Sequence, residues 1–255
     1  MPSAPIRLFC FDAGFTLIRP RRTMQQHLAE ALARHGHAAS EEEVHAAWQA
    51  ADRWFWEGYH EPGNRTWTSD EEIERTWRAY HRIMLEQLGF EADEVDVVSA
   101  ILESQFSPDG WEPYPETIEA LQLVHQSADP RPAVAVVSDW ESTLVDVLEG
   151  TGIGRWVDQV LASGGVGHAK PDPEIFLLAC QGAGVTPAEA VMIGDSLRAD
   201  VLGARSVGMR GILLDRDGVA LERGGADGGP DPASVPDLEQ APDLVSAVAL
   251  ALQLA

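Results

Sequence analysis

A chain of 255 residues can bury a sizeable core, either as one large domain or as one domain carrying an insertion. Its 41 acidic against 18 basic side chains leave a formal charge of -23, a field that repels nucleic-acid backbones and anionic lipid surfaces. Neither is therefore an expected partner, and the charge reads mainly as solubility.

The first predicted element is a strand, "IRLFCF", which ends at Asp12 in "FDAGFTL". The opening "MPSAPIRLFC" lacks a signal-peptide cleavage pattern, and no stretch reaches the roughly 18–20 apolar residues of a membrane span. A cytoplasmic location is expected. From residue 18 to 110 no strand of the same buried kind occurs. Instead, "TMQQHLAEALARHG" and "EEIERTWRAYHRIMLEQLG" carry apolar residues three and four apart and each ends at a glycine, which predicts helices. Trp48, Trp54, Trp56, Trp67 and Trp77 fall here and are assigned to the packing of a small helical core.

From Glu116 onward, short valine- and isoleucine-rich runs alternate with helical patterns: "VAVVSD", "QVLAS", "AVMIGD" and "GILLD". Consecutive apolar residues mean strands buried on both faces, hence a parallel sheet with helices on either side. "DGVALERGGADGGPDPASVPD" reads as an exposed loop, followed by a last helix, "APDLVSAVALALQL". Cys10 and Cys180 lie in apolar patterns, so buried free thiols are expected, with no disulfide and no cysteine-bound metal.

In open α/β sheets the ligand crevice lies beyond the carboxyl ends of the strands. Asp12 follows "LFCF", Ser138 follows "VAVV" and Asp195 follows "VMIG". Lys170, in "GHAKPDPEIF", precedes a helix signalled by Pro171 and Pro173, and Asp200 follows Asp195 by five residues. Singly, each has an ordinary reading as a cap, a turn former or a solvated lysine. Crowded carboxylates, however, need a cation nearby, which a lysine or a divalent metal can supply.

In order and context these residues resemble the four signature motifs of the haloacid dehalogenase-like hydrolase superfamily. "RADVLGARSVGM" extends the likeness, as does a helical insertion after the first motif. The resemblance implies an α/β fold in which residues 1–17 and 111–255 form a Rossmann-like core and residues 18–110 an all-helical cap domain. It implies that Asp12 is the nucleophile, forming an aspartyl-phosphate, and that Asp12, Asp195 and the Gly14 carbonyl bind Mg2+. Ser138 would then hydrogen-bond the transferring phosphoryl group and Lys170 neutralise charge, with Asp200 supporting the metal and Thr16 the loop.

Gly14 departs from the pattern. The superfamily's phosphomonoesterases carry there a second aspartate, which protonates the leaving oxygen and activates water. Such assistance is worth about 10²- to 10⁴-fold, so alkyl phosphates should be slow substrates. A positive φ at this glycine would also resist a side chain. A metal-free 2-haloacid dehalogenase would lack the same aspartate, but would not need Asp195. Phosphonate hydrolysis would need a lysine from the cap, and residues 18–110 contain none. A non-catalytic phosphate-binding or interaction module stays open as a third alternative. The leading reading is a Mg2+-dependent phosphatase-like hydrolase of a small anionic, phosphorylated metabolite. Arg19, Arg21, Arg22 and Arg65 are candidate anion contacts, though a solvated arginine is the commoner case. His35, His37 and His168 share no metal-ligand spacing with a carboxylate.

Overall fold

The structure is a computed structural model that describes residues 5–59, 64–91, 94, 95, 98, 107–216 and 230–253. Strand β1 (Leu8–Phe11) opens the chain and, after a tight loop, β2 (Ile18–Pro20) leads into helices α1 (Met24–Arg34), α2 (Glu41–Tyr59) and α3 (Asp70–Gln87). The chain returns through β3 (Trp111–Pro113) to α4 (Thr117–Gln126), β4 (Ala133–Ser138), α5 (Leu144–Gly150) and β5 (Gln159–Ala162). Helix α6 (Pro173–Ala183), β6 (Ala190–Gly194), β7 (Arg210–Leu214), β8 (Glu239–Ala241) and α7 (Leu244–Gln253) complete it.

Six strands form one sheet in the order β5-β4-β1-β6-β7-β8, and every pairing is parallel. The alternation of side chains along each strand divides the apolar residues between two faces. Phe9, Phe11, Val134, Val136, Val191 and Ile193 pack with α4, α5 and α7. Leu8, Cys10, Ala135, Val137, Ala190 and Met192 pack on the other side with Ile175, Phe176, Ala179 and Cys180 of α6. This is the Rossmann-like, helix-flanked sheet that the runs of consecutive apolar residues predict, and both cysteines lie buried in its second layer.

Helices α1–α3 share a separate core of Leu28, Leu32, Val44, Ala47, Ala51, Tyr80, Met84 and Leu85. Thr23 begins α1 with a reciprocal capping box to Gln26, and Ser69 caps α3 by accepting from Glu72 N. Both predicted helices end at a glycine of positive φ, Gly36 and Gly89. Trp48 and Trp77 pack on this core, and Trp67 meets Trp77 and Phe55 edge-on, but Trp54 is 39% exposed and plays no such part.

Three strands, β2, β3 and β8, were not legible. β2 falls inside the stretch expected to lack strands of the buried kind, where it pairs antiparallel with β3, Ile18 opposite Pro113 and Pro20 opposite Trp111. β8 occupies Glu239–Ala241, where the last helix was expected to begin. Of the glycine-rich loop, residues 217–229 lie outside the described residues; the described remainder is mostly exposed. Among the described residues no helix is long and apolar enough to cross a membrane.

Candidate active site

The three central strands β4, β1 and β6 end side by side and so deliver Ser138, Asp12 and Asp195 to one edge. Asp12 N donates to Ile193 O at 3.0 Å, which ties the residue to the neighbouring strand end. Its Oδ1 accepts from Ser138 Oγ at 2.9 Å and from Lys170 Nζ at 2.6 Å. Lys170 Nζ also donates to Asp200 Oδ1 at 2.6 Å. Thr16 Oγ1 approaches Asp195 Oδ1 at 3.4 Å. One carboxylate oxygen from each of Asp12, Asp195 and Asp200 lies within 4.8 Å of the other two. The residues named from sequence thus meet in one place.

Asp200 arrives by an unusual route. Leu197–Leu202 is a π-helical stretch whose start is capped by Ser196 Oγ accepting from Ala199 N, and such turns often mark functional sites. Ser196 N donates to Asp200 Oδ2 at 2.9 Å. A Cβ on Gly194 would lie 2.2 Å from that same oxygen, so only glycine lets the carboxylate in.

Charge at this edge is unbalanced. Burial alone would lower the Lys170 pKa, but Asp12, Asp200 and Asp139 outweigh it and hold the ammonium well above its ordinary value. Burial raises Asp200 to about 6 against the pull of Lys170, and raises Asp139 to about 7. Asp139, whose Oδ1 accepts from Lys170 N at 2.8 Å, is a site residue the sequence reading missed, although it directly follows Ser138. Lys170 is the only lysine in the chain. One ammonium facing several carboxylates leaves negative charge over, and a donor set of oxygens alone suits a hard divalent cation such as Mg2+.

The loop after Asp12 differs from expectation in one respect. The residue of positive φ is Phe15, at 59°, and Gly14 is outside that region. What opposes a side chain at position 14 is space: a Cβ there would meet Trp140 Cζ3 at 3.3 Å. The Trp140 ring in turn packs edge-on against Trp111, centroids 4.7 Å apart. Arg216 steadies the loop from β7 by donating to the carbonyls of Phe15 and Thr16, its guanidinium 3.7 Å from the Tyr114 ring centre. The helical unit touches the site's rim through Asp70 Oδ1, which accepts from Ser142 N at 2.8 Å.

The candidate anion contacts have other partners. Arg19 and Arg21 pair with Glu112 across the β2–β3 ribbon, Arg22 pairs with Glu30, and Arg65 reaches Thr68. His168 pairs with Asp172.

A family model described as haloacid dehalogenase-like hydrolase matches residues 6–208. The haloacid dehalogenase-like hydrolase domain-containing protein 3 of Mus musculus is 30% identical over 216 residues, 82% of each chain. A phosphoserine phosphatase of Thermus thermophilus is 43% identical over 91 residues, 36% of this chain and 33% of its own. Among solved structures, a putative HAD-hydrolase of Bacillus subtilis bound to magnesium aligns over 97% of this chain and 99% of its own, with TM-score 0.70 and 17% identity. A defluorinating L-2-haloacid dehalogenase aligns over 98% and 99%, with TM-score 0.70 and 18% identity. At such identities these two likenesses concern the fold alone.

Proposed function

Because the chain belongs to the haloacid dehalogenase-like hydrolases, we propose that it is a magnesium-dependent, phosphatase-like hydrolase of a small phosphorylated metabolite, with residues 18–110 as its cap. The observation that carries this reading is the arrangement around Asp12: one oxygen is held by Ser138 and Lys170, while Asp195 and Asp200 converge beside it. The phosphatase names among its relatives support a phosphoester substrate. Retention of Asp195 in that cluster counts against a dehalogenase that would not need it.

In the proposed reaction an electron pair of the Asp12 carboxylate forms a bond to phosphorus as the bond from phosphorus to the leaving oxygen breaks. That oxygen departs with the pair. Oδ2 has no protein hydrogen bond among the described residues, whereas Oδ1 is anchored twice, so the carboxylate is oriented before substrate arrives. Lys170 Nζ, with a third proton beyond the two given to Asp12 and Asp200, then donates to a phosphoryl oxygen, and Ser138 Oγ turns its single proton from Oδ1 to another. A water oxygen next bonds to phosphorus, the link to Asp12 breaks, and inorganic phosphate leaves with the carboxylate restored. Gly14 can neither give the leaving group a proton nor take one from water, so solvent serves both steps. Asp12, Asp195 and the Gly14 carbonyl would hold magnesium, supported by Asp200 and Thr16. The ion supplies charge neutralisation and polarises a phosphoryl oxygen.

Hydrolysis of an aryl phosphate tests this. Turnover should need a divalent ion and vanish in Asp12→Asn and Asp195→Asn. Full activity in excess chelator would overturn the need for magnesium, and halide release from a 2-haloacid would instead mean a dehalogenase. Absence of turnover on every activated phosphoester, with Asp12→Asn indistinguishable from the parent, would mean a non-catalytic module.

A further inference from the structure

A second group of side chains able to hold a metal ion meets on the helical unit: His35, His37 and Glu94. The two histidines flank Gly36, where the chain turns at the end of α1, and Glu94 comes from beyond α3. Nε2 of His35 and Nε2 of His37 each lie 3.7 Å from Oε1 of Glu94. The carboxylate is already oriented, since its other oxygen, Oε2, accepts from Glu91 N at 3.2 Å. The rings are held as well: His37 stacks on Phe90 with centroids 4.1 Å apart, and on His35 at 5.8 Å. Solvent reaches all three, with side-chain exposures of 26%, 40% and 34%.

Ion pairing alone is a poor account of this meeting. Solvent screens a half-exposed ion pair so that it contributes little even when both partners are charged, and here two imidazoles approach one carboxylate oxygen. One ligand atom from each residue lies within 4.8 Å of the others. The two separations of 3.7 Å compare with about 3.3–3.6 Å between neighbouring ligand atoms of a tetrahedral zinc whose bonds are about 2.0–2.2 Å. Closing the difference takes shifts of a few tenths of an ångström. Two imidazoles and one carboxylate suit zinc and its borderline neighbours, whereas magnesium and calcium favour all-oxygen sets.

We propose that His35, His37 and Glu94 form a zinc-class metal site, separate from the aspartate cluster, with a fourth position open to solvent. A bound ion fastens the end of α1 to the segment that follows α3. The site does not depend on the reaction proposed for Asp12, and its test does not read activity.

The test is titration of the full chain with Co2+, followed by visible absorption, and with Zn2+, followed by calorimetry. Both are run in excess Mg2+ and repeated in Asp195→Asn, to keep the aspartate cluster out of the signal. The expected result is one equivalent bound at micromolar concentration. Affinity should fall at least tenfold in each of His35→Gln, His37→Gln and Glu94→Gln. These side chains are partly exposed, and circular dichroism checks that the variants fold. Should any fail, Zn2+-dependent shifts of the His35 and His37 imidazole resonances in the unsubstituted chain give the second measurement. Binding that all three variants retain, or no binding tighter than millimolar, overturns the proposal.

Discussion

Gly14→Asp puts a general acid where the reaction lacks one, and the structure sets how much can be gained. A well-placed acid is worth about 10²- to 10⁴-fold on a poor leaving group. The new side chain must, however, share space with Trp140, whose Cζ3 would lie 3.3 Å from the added Cβ. Overpacking of this kind costs about 1–3 kcal/mol in a close-packed core. Trp140 is only partly buried and needs to give by a few tenths of an ångström, so the low end applies, about 1 kcal/mol; where that strain has to be met to bring the new carboxylate to the leaving oxygen, it lowers the gain about fivefold. With the lower figure of about 10²-fold, the single variant should therefore gain about 20-fold in kcat/KM on alkyl phosphates. Trp140→Leu, which clears the ring, should add about a further fivefold to Gly14→Asp while leaving the parent's alkyl phosphate rate unimproved. The assay is kcat/KM on phosphoesters with leaving groups of graded acidity, for the parent, both single variants and the double variant, read as a cycle. The parent should show a steep dependence, flattened by Gly14→Asp. A shallow slope in the parent would mean that another group already supplies the proton. Equal gains from Gly14→Asp with and without Trp140 would refute the steric part.

Lys170→Met leaves the buried carboxylates of Asp12 and Asp200 without their cation, which should destabilise the metal-free protein by about 3–5 kcal/mol in urea unfolding. Magnesium should restore part of that loss, and an unchanged stability gap with magnesium would sink the idea that these carboxylates hold it. His81 is buried with neither ring nitrogen hydrogen-bonded among the described residues, and burial lowers its pKa to about 4 from 6.5. Below pH 6.5 the unfolded chain binds a proton that the folded chain refuses. This contribution is thus complete above pH 6.5 and drains away as pH falls toward 4, by on the order of 3 kcal/mol. His81→Phe should lose correspondingly less stability than the parent between pH 7 and pH 4, and equal losses would show that His81 is not the titrating group.

What could be read from sequence followed from how far each signal travels along the chain. β1, β4 and β6 are runs of consecutive apolar residues, and a buried parallel strand leaves no other trace. α1 and α3 each end at a glycine, so their C-terminal ends were visible too, whereas the caps Thr23 and Ser69 show only in the structure. β8 is three residues, Glu-Gln-Ala, at the sheet's edge, and β2 owes its pairing to β3 far along the chain; neither has a local pattern to detect. Asp12, Ser138, Lys170, Asp195 and Asp200 sit at strand ends or helix starts, where each alone has an ordinary reading, and were recognisable by their order along the chain, which resembles the superfamily's four motifs. The filling of the space beside Gly14 by Trp140, and the approach of Glu94 to two histidines, exist only after folding.

The burial of Lys170 also gives the molecule an unusual surface chemistry. Every other basic side chain apart from the histidines is an arginine, and the one ε-amine is held by Asp12 and Asp200 with its side chain 4% exposed. Acylating reagents that seek lysines therefore find none on the outside, and can modify this one only when the interior next to Asp12 opens. The speed at which that single amine is labelled becomes a clock for the opening of the site, with no exposed lysine to mask it.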